Sequence, residues 1–229
     1  MKLIQPSCEI LTDMSQDFLG LIERAGRICY KSEDRITKDS AKKFVSMLIA
    51  SGHESVLEHP SITVKFTTSR AIANQLVRHR IASFSQEPTR YVNYCSEKHG
   101  KELTFIYPEW INQLIGIFGL CDFADGVIKD LFKHPSYGKY KAWKDCLQTI
   151  ENTYTDLILL GAKPEDARSV LPSDLKTEII MTCNLRQWRH VLKLRTSKKA
   201  HPDMRRLMIG LLCQLQEKIP VVFDDINKE

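Results

Sequence analysis

The chain has 229 residues, 43% hydrophobic and 27% charged, which is typical of a globular protein with one sizeable core. Its net charge of +5 favours anionic partners, although charge alone does not separate nucleic acids from nucleotides. No apolar run is long enough to span a bilayer or to form a secretory signal, and the seven cysteines form no C-x-x-C pair. These features exclude a disulfide framework and predict a cytoplasmic protein with reduced thiols.

The amino-terminal half is predicted to mix strands and helices. Its expected elements are a strand over 2–11, helices over about 15–29 and 40–51, a strand over 61–67 and a helix from about 70 to Arg78. Gly52 ends the second helix, and Ser69 is the expected N-cap of the third. A loop or irregular strand follows as far as Tyr91, and residues 96–112 carry no clear pattern.

The carboxy-terminal half is predicted to be mainly helical. Its expected elements are a helical hairpin over about 112–132 and 138–160, a short helix over 165–170, a strand over 177–182, and helices over 184–196 and 202–218. Gly161 and Pro164 separate the hairpin from the short helix. We therefore expect one α+β domain over residues 1–229, with a mixed or antiparallel sheet flanked by helices.

Residues 78–91 read RHRIASFSQEPTRY and contain the first candidate site. The guanidinium groups of Arg78, Arg80 and Arg90 match the oxygens of phosphate or carboxylate in pairs, and no alternating acids neutralise them. The segment therefore indicates an anion site, with a solvated basic surface as the alternative. At about 100° per residue, Gln75 and Arg78 share a helix face while His79 and Arg80 turn away. Two neighbouring anionic ligands, or one ligand bent around the helix end, could contact all of these side chains.

Residues 53–59 read HESVLEH and only partly match the zinc helix H-E-x-x-H. Leu57 stands where the second histidine is needed, and His59 lies about 240° from His53 on a helix. We therefore predict no metal site. The alternative for Glu58 and His59 is a polar pair that caps a helix before a strand.

A third candidate segment covers 168–206 and runs from Arg168, ahead of Leu-Pro, through N-x-R at 184–186 and Leu-Arg at 194–195 to Ala-His at 200–201 and Arg205. On one helix, Arg186 and His190 lie about 40° apart, but Arg186 and Arg195 lie about 180° apart. The two arginines should therefore address different pockets or different subunits. The remaining cations of this stretch read as a solvated face: Arg189, Lys193, Lys198 and Lys199. A Rossmann glycine loop, a Walker loop and a nucleophile elbow are all absent from the sequence.

Together the three segments resemble the flavin-dependent thymidylate synthases over about residues 20–215. The signature of that family is R-H-R-x-x-S followed by a polar residue, a second serine and Arg-Tyr, and an H-x-S-x-x-E-H element matches residues 53–59. Departures are Pro88 at the second serine, His201 for a usual glutamine and Met204 for a usual isoleucine.

The resemblance implies a homotetramer that converts dUMP to dTMP, with its active site at subunit contacts. Methylenetetrahydrofolate supplies the carbon, and FAD reduced by NADPH supplies the hydride. Cys183 is the only cysteine beside a motif, so an arginine that stabilises charge on the pyrimidine replaces a cysteine nucleophile. Arg195 matches the family residue assigned to that role, and His53 matches one beside the flavin ring.

The resemblance also implies two sets of binding residues. Those for FAD are Ser55, Arg78, His79, Arg80, Asn184, Arg186 and His190. Those for dUMP are Gln75, Arg78, Gln86, Glu87, Pro88, Thr89 (through its backbone), Arg90, Arg168 and Arg195. Many relatives have glutamate at position 86, so whether Gln86 or Glu87 reaches the ligand stays open.

Two alternatives remain at this point. A nucleic-acid-binding protein would need aromatic residues interleaved with the cations, and only Phe84 and Tyr91 qualify, so we expect no nucleic-acid partner. A homologue that binds flavin and nucleotide without turnover is the other alternative, because Pro88 removes a hydroxyl and an N–H.

Overall fold

The computed structural model describes residues 1–96, 100, 102–118 and 137–227, with only the backbone described over 114–118. Its backbone contacts group into two compact units, each assembled from three stretches of chain. The first unit comprises 1–6, 68–73 and 86–177, and the second comprises 7–67, 74–85 and 178–229. The single-domain organisation stays a prediction.

The α+β class is confirmed by the described elements. The strands are β1 (Lys2–Ile4), β2 (Ser7–Ile10), β3 (Ser61–Ser69), β4 (Ser83–Gln86), β5 (Thr104–Ile106) and β6 (Lys176–Asn184). The helices are α1 (Phe18–Tyr30), α2 (Ser40–Ala50), α3 (Arg70–Leu76), α4 (Glu109–Phe118), α5 (Tyr137–Leu159), α6 (Pro164–Ala167), α7 (Leu185–Arg195) and α8 (Pro202–Lys218). Short 3-10 helices cover Glu33–Arg35, Glu54–Glu58 and Arg168–Val170.

The second unit is built on a sheet with strand order β2-β3-β6-β4, in which β2 and β3 are antiparallel. Alternate residues of β3 are buried, as its sequence pattern predicts. Trp188 of α7 is fully buried against this face, with its Nε1 donating to Ile62 O at 3.0 Å and its ring 6.3 Å from that of Phe66. This packing holds α7, the helix that carries Arg186, His190 and Arg195 of the third candidate segment.

The first unit has its own pair of parallel strands, β1 and β5. Its core is a cluster of buried side chains: Tyr94, Leu103, Phe105, Leu147, Tyr154, Ala167 and Leu175. The amino terminus is anchored there, because the Met1 ammonium lies 2.8 Å from the Glu151 carboxylate. The other oxygen of Glu151 accepts from Leu103 N at 2.8 Å.

The structure differs from the sequence prediction at three places. The single strand over 2–11 is two strands of different sheets, separated by Pro6, which has no N–H for a continuous ladder. The connection over 96–112 contains β5 and the first turn of α4. The helix capped by Ser69, whose Oγ accepts from Ile72 N at 3.3 Å, ends at Leu76 and not at Arg78.

Most of the other predicted elements are confirmed. Gly52 and Gly161 follow the ends of α2 and α5 with φ of 72° and 91°, and Pro164 begins α6. The hairpin predicted between 112 and 160 lies partly outside the described residues. Along the described parts of the chain, each helix is too short or too polar to cross a membrane.

Candidate functional site

His79 and Arg195 form a direct contact in the second unit. Arg195 is the last residue of α7, and its Nε donates to His79 Nε2 at 3.0 Å. Its Nη2 also donates to the backbone oxygen of Gln75, at 3.5 Å. The His190 ring meets His79 edge-on, with the ring centres 6.4 Å apart. Four of the predicted site residues therefore converge, although His79 and Arg195 are separated by 116 positions.

This geometry determines the protonation of His79. Only 6% of the residue is exposed, so burial disfavours its cation, and the positive charge of Arg195 and the ring of His190 add to that effect. Together they lower the pKa of His79 to about 4. The ring is therefore neutral at pH 7, and its Nε2 acts as the acceptor that holds the Arg195 guanidinium.

A cavity of about 640 Å³ lies along the start of α7. Its lining residues are Glu54, Glu58, Ile81, Asn184, Arg186, Gln187, Arg189, His190 and Lys193. Asn184 caps α7 by accepting from Gln187 N at 2.8 Å, and Arg186 Nη1 lies 2.5 Å from Glu58 Oε1. The helix N-terminus, Arg186 and Lys193 are favourable to an anion, partly offset by the two glutamates.

The prediction of a solvated face was wrong for Arg189. Only 1% of the residue is exposed, and its guanidinium contacts Glu54 at 3.0 Å and Asp225 at 2.8 Å. It also donates to the backbone oxygen of Val222. A buried arginine with all these partners ties α7 to the 3-10 helix Glu54–Glu58 and to the end of the chain, and so supports the cavity wall.

His53 and Ser55 lie at the 3-10 helix that supplies Glu54 and Glu58 to the cavity. Both are exposed, and His53 Nδ1 shares a hydrogen bond of 2.8 Å with the hydroxyl of Tyr30. The rings of Tyr30 and His53 are stacked, with centres 6.5 Å apart. Glu58 pairs with Arg186 across the cavity, so it has a role beyond the helix cap considered as its alternative.

Arg78 and Arg80 follow α3 in an irregular segment, and both are exposed. The helix ends before Arg78, so the predicted shared face of Gln75 and Arg78 was wrong. Within the parts of the chain that the structure describes, neither arginine has a hydrogen bond or ion pair, which leaves both guanidinium groups available to an anionic ligand.

The first unit carries the other predicted dUMP residues. Arg90 Nε lies 2.9 Å from the carboxylate of Glu165, and Arg168 Nε donates to the backbone oxygen of the same residue at 3.2 Å. Glu165 thus contacts both of these predicted dUMP-binding arginines. Sequence reasoning did not single it out, although an acid behind Pro164 in the first helical turn is a recognisable signal.

The structure gives Gln86 and Glu87 different partners. The Glu87 carboxylate lies 3.1 Å from Lys176 Nζ, an ion pair that the sequence analysis missed. The amide of Gln86 donates to Thr177 Oγ1 at 3.4 Å, near the limit for a hydrogen bond. Next to them, Pro88 is exposed and Thr89 is buried. Of Gln86 and Glu87, Gln86 therefore makes the weaker side-chain contact.

Fold and site define an α+β protein whose second unit groups arginine and histidine side chains around α7 and the cavity beside it. The family model described as thymidylate synthase complementing protein matches residues 10–221, and the chain belongs to this family. The flavin-dependent thymidylate synthase of Mycolicibacterium vanbaalenii is 34% identical over 91% of this chain and 79% of its own length. That of Pyrococcus furiosus is 31% identical over 91% of this chain and 74% of its own length.

Two solved structures share the fold. The UMP/dUMP methylase PolB from Streptomyces cacaoi, bound with 5-Br dUMP, superposes with a TM-score of 0.75 at 22% identity, covering 98% of this chain and 96% of PolB. Thymidylate synthase X from Helicobacter pylori, with FAD and dUMP, gives a TM-score of 0.67 at 22% identity, covering 98% and 99%. The family and the fold expected from the three motifs are thus confirmed.

Proposed function

We propose that this chain is a flavin-dependent thymidylate synthase that converts dUMP to dTMP. Methylenetetrahydrofolate provides the one-carbon unit, and FAD reduced by NADPH provides the hydride that completes the methyl group. The proposal is supported above all by one observation: the family match covers residues 10–221 and includes all three motif segments.

The second unit has hydrogen-bond donors of the kinds that bind the pyrophosphate of FAD. Arg186 and His190 line the 640 Å³ cavity on one side of α7, beside the amide groups at the helix start. Arg78 and Arg80 add two guanidinium groups without partners in the described chain. Together these groups would neutralise a pyrophosphate, as charge-assisted donors do at other dinucleotide sites.

In this proposal Arg195 stabilises the negative charge that develops on the uracil ring. Its Nε and Nη2 are held by His79 and by Gln75 O, so the guanidinium plane is oriented before the substrate binds. A preoriented cation loses little by reorganisation when charge develops, which is how electrostatic catalysis lowers a barrier. Because Nε2 of His79 is an acceptor, the neutral form of that ring is the one that performs this role.

For dUMP we assign the phosphate to Arg90 and Arg168, which share Glu165. Gln86, and not Glu87, is our choice for contact with the nucleotide, because the carboxylate of Glu87 is engaged by Lys176. Arg78 and the backbone of Thr89 complete the proposed set.

We also propose a cytoplasmic homotetramer that takes NADPH as its reductant. Ile81 lines the 640 Å³ cavity although 71% of it is exposed, so a single chain leaves this wall uncovered. Tyr91, at the end of the signature, is 75% exposed. The six described cysteines are free, which fits a reducing compartment.

The test is to purify the protein and measure bound flavin, its reduction by NADPH without oxygen, and dTMP formed from dUMP and methylenetetrahydrofolate. We expect a yellow protein whose flavin is bleached by NADPH and which forms dTMP. The Arg195→Ala variant is the control, since it should retain flavin without forming product. A colourless protein that takes up no FAD in excess would contradict the proposal.

A further inference from the structure

Glu54 is an acidic side chain in the wall of the 640 Å³ cavity, where the proposed function places an anionic dinucleotide. Its Oε1 atom accepts from Arg189 Nε at 3.1 Å and lies 3.0 Å from Arg189 Nη2. Within the part of the chain that the structure describes, its Oε2 atom has no hydrogen bond or ion pair. The side chain is 25% exposed, so a ligand in the cavity can reach this carboxylate.

The orientation of Glu54 depends on Asp225 through Arg189. The Asp225 carboxylate accepts from Nη1 and Nη2 of Arg189 at 2.6 and 2.8 Å, which fixes the plane of the guanidinium group. Burial raises the pKa of the Asp225 carboxyl, but the hydrogen bonds and charge of Arg189 outweigh burial and lower it, so Asp225 is charged at pH 7. With both Nη atoms held in this way, the Nε–H of Arg189 is directed at Glu54.

The turn that carries Asp225 has an unusual backbone. Val221 has a φ of 80°, which is rare for a β-branched residue, and its N donates to Asp224 Oδ2 at 2.8 Å. The next two side chains, Val222 and Phe223, are fully buried, and such burial is what holds a strained residue in place. Asp225 itself does not line the cavity. Its effect on a ligand there must therefore pass through the side chains that it contacts.

A carboxylate in the cavity wall serves a different part of the ligand from the part that the cations serve. Glu54 would repel a phosphate, whereas a hydroxyl or N–H group would donate to its Oε2 atom. At Rossmann dinucleotide sites an acidic side chain accepts from ribose hydroxyls in this way. FAD carries hydroxyl and N–H groups in addition to its pyrophosphate, so an oriented carboxylate suits its uncharged polar part.

We propose that Glu54 is a further FAD-binding residue and that Asp225 is its positioning residue, which acts through Arg189. The Oε2 atom of Glu54 accepts from a hydroxyl or N–H group of FAD, and Asp225 holds the guanidinium group that orients Glu54. None of these three residues is among the binding residues that the family resemblance implies. The inference rests on the proposed function for the identity of the cofactor.

The test is a double-mutant cycle on the affinity for FAD. Glu54→Gln and Asp225→Asn are made singly and together, and the dissociation constant of FAD is measured by equilibrium dialysis of the full chain. Glutamine keeps the size of Glu54 and removes the charge that strengthens its hydrogen bonds. Asp224→Asn is the matched control, because Asp224 belongs to the same turn and has no contact with Arg189 in the described chain.

We expect Glu54→Gln to raise the dissociation constant of FAD roughly tenfold, as for the loss of one charge-assisted hydrogen bond. Asp225→Asn should raise it about threefold to fivefold, because Arg189 keeps its bond to Val222 O and so loses only part of its orientation. In the Glu54→Gln background Asp225→Asn should add less than about twofold, since a positioning residue has no effect once the group that it positions is lost. Asp224→Asn should stay within about twofold of the wild type.

Three results would overturn the proposal. Equal effects of Asp225→Asn in the two backgrounds would mean that Asp225 acts through Lys193, 3.3 Å away, or through the fold. An unchanged or tighter affinity of Glu54→Gln would mean that Glu54 only repels the phosphates. An equal loss in Asp224→Asn would mean that the turn has a structural role. If Asp225→Asn does not fold, Asp225→Glu replaces it in the same cycle, because it keeps the charge and displaces the guanidinium group.

Formation of dTMP by the same proteins separates this inference from the proposed function. If the wild type binds FAD and forms no dTMP, the synthase function fails, while coupling between Glu54 and Asp225 in FAD affinity still supports the inference. If the wild type forms dTMP and all variants bind FAD equally well, only the inference fails. A wild type that binds no FAD would contradict both.

Discussion

Replacing His79 with glutamine tests whether the contact with Arg195 depends on a neutral ring. Glutamine keeps an acceptor within reach of Arg195 Nε but has no group that titrates near neutral pH. At pH 7 the variant should therefore lose only about 1 kcal/mol of unfolding free energy, the usual net value of one hydrogen bond. The larger difference in unfolding free energy between the variant and the wild type should appear at acidic pH.

The size of that difference follows from the pKa of His79, which is lowered from 6.5 to about 4. Below pH 6.5 the unfolded chain binds a proton at this histidine, whereas the folded chain does not until about pH 4. Unfolding therefore takes up a proton in this window, and stability falls as pH falls. At about 1.4 kcal/mol per pH unit, His79 costs the wild type about 3 kcal/mol between pH 6.5 and 4.

The measurement is urea denaturation of the wild type and His79→Gln at several values of pH between 7 and 4. The wild type should lose about 3 kcal/mol more than the variant over this range. His59→Gln, at an exposed histidine, is the control and should follow the wild type. If the unfolding free energies of the wild type and His79→Gln depended on pH in the same way, His79 would not be a neutral acceptor for Arg195.

Arg195→Ala should abolish dTMP formation and retain the flavin, because the charge it stabilises exists only in the transition state; loss of flavin would contradict the assignment. Pro88→Ser should lower KM for dUMP with little change in kcat, since a new hydrogen bond to a charged phosphate is worth about 1.5–3 kcal/mol. A wild type without turnover that the serine rescues would instead show that Pro88 has made this chain a binder. Cys183→Ala should change turnover less than about tenfold, or about 1.4 kcal/mol, because burial raises the pKa of the Cys183 thiol and leaves it unreactive. Complete loss with the fold intact would indicate covalent catalysis. Glu165→Gln should lower KM for dUMP about twofold to fivefold by releasing Arg90 from an exposed ion pair, and a raised KM would mean that Glu165 positions Arg90.

Local signals in the sequence were enough for much of the fold. The alternation over residues 61–67, the cap at Ser69 and the glycines at 52 and 161 each depend on backbone geometry within a few positions. Signals of this kind were not enough where the pairing of distant strands decided the structure. Pro6 divides residues 2–10 between two sheets, and β5 gains its strand character from pairing with β1, about 100 positions away.

The sequence also determined the family, because motif spacing is itself a property of the sequence. The separation of Arg186 from Arg195 on α7 followed from helical periodicity, and their different partners, Glu58 and His79, agree with it. Periodicity states which face a side chain occupies, but it does not state what lies opposite that face.

Only the tertiary structure decided which groups these side chains contact. Arg189 was predicted to be a solvated cation and is buried between Glu54 and Asp225. His79 stands between two arginines in the sequence, and only the fold makes it a neutral acceptor for Arg195. Both outcomes depend on burial and on charges brought in from distant segments. Desolvation and Coulomb interactions act through space, so the charge state and the role of a side chain are properties of the folded neighbourhood and not of its position in the chain.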